Sequence, residues 1–215
     1  MEVIVRNKKN LYIIGAGDFG REMESLLEMI PRNRRDWEIA GYLDDNLDAL
    51  KGLSSDYEIL NRIDEHPFSE DDLVVLTVVK PKVKEEIYNR LKNRVKFYTY
   101  VFPNVVVFKY CHIGEGSIIV SNCVISNNVN LGKCVIINQG SQIGHDTSIG
   151  DFSSLMSSVD LGGRCQIGQR VYCGTGVVII PGRKIGDDAR IGAGSVVIQN
   201  IKDNSSVFGN PAKRI

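Results

Sequence analysis

The sequence predicts two architectures in one chain: a small α/β domain with a parallel sheet, then a solenoid of short parallel strands. The solenoid rests on a six-residue rhythm. Every sixth residue from Ile113 to Val197 is Ile, Leu or Val, with Cys173 the one exception in fifteen positions. A helix repeats near 3.6 residues and a strand at 2, so the period fits neither. It fits coils whose short strands each send one large side chain inward. The α/β domain rests on the first hundred residues, where apolar runs alternate with helically spaced segments.

Residues 11–14 form a short apolar strand, followed by Gly15-Ala-Gly-Asp-Phe-Gly20. Residues 21–30 carry helical spacing (Met23, Leu26, Leu27, Ile30) and stop before Pro31. Residues 38–43 are a second strand, ending at Asp44-Asp45-Asn46; 73–79 are a third, 83–91 an amphipathic helix and 96–102 a last strand before Pro103. About four strands make only half of a dinucleotide fold, a size suited to a mononucleotide or a nucleotide-linked sugar. Gly15, Gly17 and Gly20 have a strand before and a helix after them. Such a turn brings helix N-terminal amides to a phosphate, or else serves close packing alone. Asp44 stands where an acidic side chain meets a ribose or base edge. Residues 103–109 read as the joint, which sets the domains at 1–105 and 106–215.

Within the repeats, the residue after the large aliphatic is often glycine, as at Gly132, Gly144, Gly150 and Gly162. Glycine suits a tight corner with positive φ, and Asn122, Asn127, Asn128 and Asn130 are the next best choice. Two residues before each large aliphatic the side chain is smaller (Ser117, Cys123, Val129, Ser141, Thr147, Ser153), so each hexad fills a narrow interior with one large and one small group. Arg183 breaks that second series and predicts a distorted corner. Each coil buries its core only against its neighbours.

Lys and Arg number 26 and Asp and Glu 26, which argues against nucleic acid or a membrane surface as the main partner. No apolar run approaches the roughly 18 residues of a membrane span, and residues 1–10 lack the apolar core of a secretory signal. The five cysteines show no CxxC pair; Cys123 and Cys165 take small inward slots and Cys173 a large one, which points to buried reduced thiols. These features predict a cytoplasmic protein.

Of three histidines, His66 precedes Pro67 in a charged loop and reads as exposed, and His112 sits where the coils begin and reads as structural. His145 lies in Ile143-Gly-His-Asp-Thr-Ser-Ile149, at a corner two residues past an inward aliphatic. There it can present an imidazole nitrogen as a general base.

The hexads resemble those of the bacterial hexapeptide family, whose chains wind as a left-handed parallel β-helix with three strands per coil. Fifteen hexads then make about five coils. The expected fold class is therefore an α/β N-terminal domain with a small parallel, half-Rossmann-like sheet, followed by a left-handed parallel β-helix. Motifs along almost the whole chain resemble one branch of that family. They are Gly15-Ala-Gly-Asp-Phe-Gly20, Gly41-Tyr-Leu-Asp-Asp-Asn46, His145-Asp146 with Ile149-Gly-Asp-Phe152, Ile180-Pro-Gly182, and the tail Val207-Phe-Gly-Asn-Pro-Ala-Lys213. The branch comprises the nucleotide-aminosugar N-acetyltransferases of the bacillosamine and perosamine type and the sialic-acid O-acetyltransferases.

The resemblance implies a sugar acetyltransferase that uses acetyl-CoA and no metal, with His145 as general base. Asp146 either supports the base or only forms the turn. The donor would lie along the solenoid between protomers of a homotrimer, touching Ser154, Gly163, Thr175 and Ala193, with Lys213 and Arg214 near its phosphates and a backbone amide near Gly162 or Gly163 at the oxyanion. The acceptor nucleotide would meet Gly17, Asp18, Phe19, Asp44 and Asp45 on a nucleotide-sugar-binding domain. Two positions depart from the family, which commonly has histidine where this chain has Phe19 and Ser154. The acidic pair favours a nucleotide-linked 4-amino-sugar over the alternative, O-acetylation of sialic acid or another sugar hydroxyl. Competing classes have less support. A metal enzyme of the γ-carbonic anhydrase type needs three imidazoles on neighbouring coils, and only His112 and His145 lie in or beside them. A nicotinamide oxidoreductase has only the glycine turn in its favour, and a purely structural solenoid would leave His145 dispensable.

Overall fold

The computed structural model describes residues 8–215; residues 1–7, part of the segment considered above for a secretory signal, lie outside the described residues. By contact the chain divides into two units. One comprises the residues up to Val78 with Glu86–Tyr98, the other Val79–Glu85 with Thr99–Ile215.

The elements of the first region are β1 (Lys9–Ile14), α1 (Asp18–Glu28), β2 (Trp37–Leu43), β3 (Ile59–Asn61), β4 (Leu73–Leu76), α2 (Pro81–Leu91) and β5 (Lys96–Phe97). The sheet order is β3-β2-β1-β4-β5, and every pair is parallel. Leu11, Ile13, Ile14, Val74 and Val75 have no exposed surface, as the unbroken apolar runs of a sheet covered on both faces require. α1 buries Phe19, Met23 and Leu27 along one stripe.

The sheet has five strands, not about four. The extra one, β3, is a three-residue edge strand whose middle residue Leu60 faces solvent, so it carries no outward-polar alternation to detect. The strand expected over 96–102 is two: β5 closes this sheet, whereas Tyr100–Val101 pairs with Ile118–Ile119 of the solenoid. His66 is not an exposed loop residue. Its ring stacks 4.4 Å from Tyr12 and 4.9 Å from Phe68, and desolvation holds its imidazole below the ordinary value.

The second unit is a parallel β-helix of two-residue strands stacked at 18-residue steps. One face runs Val106–Val107, Val124–Ile125, Gln142–Ile143, Asp160–Leu161, Val178–Ile179, Val196–Val197. A second runs from His112–Ile113 to Lys184–Ile185, and the third from Tyr100–Val101 to Ser206–Phe208, where Lys213–Arg214 adds an antiparallel strand. Six strands on the first face make about six coils, one more than the hexad count, because winding starts ahead of Ile113.

The inward series packs as one ladder, with Ile119, Ile125, Leu131, Ile137 and Leu155 fully buried. The buried hydroxyls among the small groups each make two hydrogen bonds to the coil that follows. Ser153 Oγ donates to Gly168 O at 2.9 Å and accepts from Val171 N at 3.0 Å, and Ser141 and Thr147 repeat the pattern. Cys123, Cys134, Cys165 and Cys173 are buried, Cys111 is half-buried, and all five are free thiols.

The glycines after the aliphatic residues have a different purpose from the one expected. None of them has positive φ; the left-handed corner residues fall two places later, at Asn128, Asp146, Phe152, Arg164 and their equivalents. A methyl group at position 144 would lie 2.4 Å from Gly163 N, so glycine is there to let successive coils approach. Arg183 distorts nothing in the ladder. Its carbonyl accepts from Gln166 N at 2.9 Å, and its guanidinium turns outward to Pro181 O.

Replacing Leu155, which has no exposed surface, by Ala should cost about 2–5 kcal/mol of unfolding free energy in urea titration. Ile198→Ala, at a side chain 42% exposed, should cost well under half of that. Equal losses would contradict the inward ladder as the source of stability.

Candidate active site

His145 and Asp146 form the corner between the strands Gln142–Ile143 and Ser148–Ile149. Asp146 adopts the left-handed conformation (φ 57°), which folds its carboxylate back toward the preceding residue. Asp146 Oδ2 thereby meets His145 Nδ1 at 2.7 Å. The hydrogen bond from His145, then that from Asn128, holds the Asp146 carboxyl below its ordinary value. An ionised carboxylate only accepts, so Nδ1 carries the proton and Nε2 the lone pair.

Nε2 lies over Gly163, one coil further on. A methyl group at position 163 would sit 2.5 Å from it, so any side chain there would displace the ring. The two neighbouring glycine amides differ in availability. Gly162 N–H donates to Ile179 O at 2.8 Å within the coil ladder, whereas the buried Gly163 N–H meets no acceptor among the described residues. The imidazole is about half exposed, with 51% of its side-chain surface accessible. A free imidazole nitrogen thus stands beside a free backbone donor, an arrangement able to pair proton transfer with stabilisation of developing negative charge.

The other residues expected around the donor lie elsewhere on the solenoid. Thr175 and Ala193 are exposed and share a different corner, where Gly194 N donates to Thr175 O at 2.8 Å. Lys213 lies exposed in the terminal strand. Ser154 is fully buried, and its hydroxyl accepts from Lys84 Nζ at 2.8 Å. Lys84 itself has no exposed surface and also donates to Ser153 O at 3.1 Å. Burial pulls its amine down to about 7. Lys84 was not among the expected residues, although its spacing with Ile87, Tyr88 and Leu91 puts it on the apolar stripe of α2.

In the first unit the glycine turn separates three roles. Gly15 has φ 98°, and a methyl group at Gly20 would lie 2.0 Å from Gly15 O, so both serve the local packing. At Gly17, the N-cap of α1, a methyl group would meet nothing, and no side chain caps the helix. That end is open to an anion. Asp44 is already engaged: its oxygens accept from Ala16 N and Asn46 N, each at 2.8 Å, which stiffens the turn. Thr77, just past β4, does the same, donating to Ile14 O at 2.7 Å. Asp18 is exposed and paired with Arg21, Phe19 is buried, and Asp45 accepts from Ile63 N at 3.2 Å.

Lys84 gives a pH-dependent expectation. Its amine titrates near 7 in the fold against 10.5 ordinarily, so between those values the unfolded chain binds more protons and this group's contribution to stability rises with pH. Lys84→Met should therefore stabilise the protein relative to the parent most at pH 6 to 7, and the gain should shrink toward pH 10. Urea titrations at about pH 6.5 and 9.5 check it; a pH-independent difference would contradict the depressed amine.

Among the described residues, no group of three or more His, Cys, Asp or Glu is placed to hold a metal ion, and no helix is long and apolar enough to cross a membrane. Residues 10–91 match the family described as PglD N-terminal domain, and residues 164–199 match that described as bacterial transferase hexapeptide (six repeats). A GDP-perosamine N-acetyltransferase from Escherichia coli O157:H7 is 31% identical over 147 residues, 66% of each chain, so the match spans just under two thirds of that relative. The acetyltransferase domain of PglB from Neisseria gonorrhoeae FA1090 superposes with a TM-score of 0.87 at 25% identity, over 97% of this chain and 100% of that one. PerB from Caulobacter crescentus, in complex with CoA and GDP-perosamine, gives a TM-score of 0.83 at 22% identity over 96% and 97% of the two chains, a likeness of fold. The α/β domain followed by a left-handed parallel β-helix superposes along nearly its whole length on these two solved structures. The chain carries a PglD-type N-terminal domain followed by bacterial transferase hexapeptide repeats.

Proposed function

We propose that the protein is an acetyl-CoA-dependent N-acetyltransferase of a nucleotide-linked 4-amino-sugar, with His145 as general base. The observation that carries this is the corner itself: Asp146 takes the proton-bearing Nδ1, and Nε2 faces the unpartnered Gly163 amide. The amine nitrogen attacks the thioester carbonyl while His145 Nε2 takes its proton, from the amine or from the tetrahedral intermediate. Gly163 N–H stabilises the oxyanion. Collapse breaks the carbon–sulfur bond, and the imidazolium returns the proton to the departing CoA thiolate. Asp146 stabilises the imidazolium between these steps.

The relatives support the substrate class. One is a GDP-perosamine N-acetyltransferase, and the gonococcal domain is also known in complex with acetyl coenzyme A, at 25% identity and a TM-score of 0.85. The pantetheine arm would run between the Gly163 corner of one protomer and the Thr175 and Ala193 corner of its neighbour, because one chain carries these on separate corners. This is the basis for a homotrimer with shared sites. Lys213 would meet the donor's phosphates, and Ser154 would act only through Lys84. The acceptor's nucleotide would take the open α1 N-terminus at Gly17 and Asp18, on a turn shaped by Phe19, Asp44 and Asp45. Free thiols throughout suit a cytoplasmic enzyme.

A screen of UDP-, dTDP- and GDP-linked aminosugars with acetyl-CoA, followed by thiol release, should identify an acetylated amine. Acetylation of sialic acid alone would replace the amine by a hydroxyl acceptor. His145→Ala should lower kcat by about 100-fold or more while the unfolding transition is kept; near-normal turnover would remove His145 as the base. Gly163→Ala should also cut kcat, by about tenfold or more, because the added methyl collides with Nε2.

A further inference from the structure

We infer that Asn128 is a positioning residue for His145, acting through Asp146; this deepens the reading of His145 as general base and rests on it. Asn128 lies one coil before Asp146 on the same corner, and both are left-handed, with φ 59° and 57°. Asn128 Nδ2 donates to Asp146 Oδ1 at 2.9 Å, while Asp146 Oδ2 meets His145 Nδ1 at 2.7 Å. The carboxylate is thus divided, one oxygen to a fixed donor on the coil before it and the other to the imidazole. Without the first bond, the exposed carboxylate is free to rotate about its last torsion and leave Nδ1, since 46% of its side-chain surface is accessible. The imidazole could then adopt the other tautomer, with the proton on Nε2 and no lone pair facing Gly163.

Another corner shows what a cation does at the same 18-residue step. Arg170 engages both oxygens of Asp188, at 3.0 and 2.8 Å. Asn128 is neutral and occupies one oxygen only. It fixes orientation while leaving the charge that favours the imidazolium.

The test uses Asn128→Gly and Asn128→Asp in the full chain. Both residues are at home in the left-handed region, and both remove the donor. Steady-state kinetics with acetyl-CoA and the aminosugar acceptor are paired with 15N NMR of His145, which reports the tautomer, and with the unfolding midpoint. In both variants kcat should fall about tenfold, the scale of losing a hydrogen bond to a charged group, with KM within about twofold. The share of His145 protonated on Nδ1 should fall, and in Asn128→Gly the Asp146 carboxyl should titrate nearer its ordinary value. Unchanged tautomer and kcat in both variants would overturn the inference. So would full activity in Asn128→Asp, or a loss of kcat that follows a lowered unfolding midpoint with the tautomer intact. The tautomer readout needs no turnover, so failure of His145 as base and failure of Asn128 as its positioner give different results.

Discussion

The stacking of one coil on the next at 18-residue steps is the constraint on which the second unit depends. Each two-residue strand is too short to be stable by itself, and each coil has only its neighbours to pack against. Aliphatic side chains fill the interior, buried serine and threonine hydroxyls bridge consecutive coils, and glycines let the backbones close to contact. A residue at a corner is therefore positioned by the residues 18 before and 18 after it, more than by its sequence neighbours. The His145 corner is such a column: Asn128 precedes Asp146, Gly163 follows His145, and every contact crosses from coil to coil except that between His145 and Asp146.

The electrostatics of that corner follow from its exposure. Water reaches both partners, so the strength of the His145–Asp146 pair comes from geometry and not from a low dielectric. A left-handed backbone and a neutral amide donor hold the carboxylate, and the absence of a side chain at Gly163 holds open the other edge of the ring. Lys84 is the opposite case. It is wholly buried against Ser154 and Ser153, where desolvation and not an opposing charge governs its amine.

The glycine turn of the first unit is arranged on similar lines. Gly15 and Gly20 answer to the backbone around them, and Thr77 and Asp44 pin the turn from just past two strands. With Asp44 holding the Ala16 amide, the helix end at Gly17 is left without a side-chain cap.

The hexad period by itself determined the solenoid, because an inward side chain every six residues is a property of chain order and needs no knowledge of partners. It also placed His145 on a corner, and the strand–turn–helix context of Gly15 to Gly20 determined the parallel α/β start. Tertiary structure decided what each residue does there. It assigned the glycines of the coils to close approach where positive φ was expected, turned Asp44 inward, buried Lys84 and Ser154 together, and added β3 as an edge strand with too few residues to show a period. It also joined Asn128 to Asp146. The physical reason is the same in each case: these contacts are made across coils or between strands distant in sequence, where local pattern carries no information about which oxygen, amide or amine stands opposite.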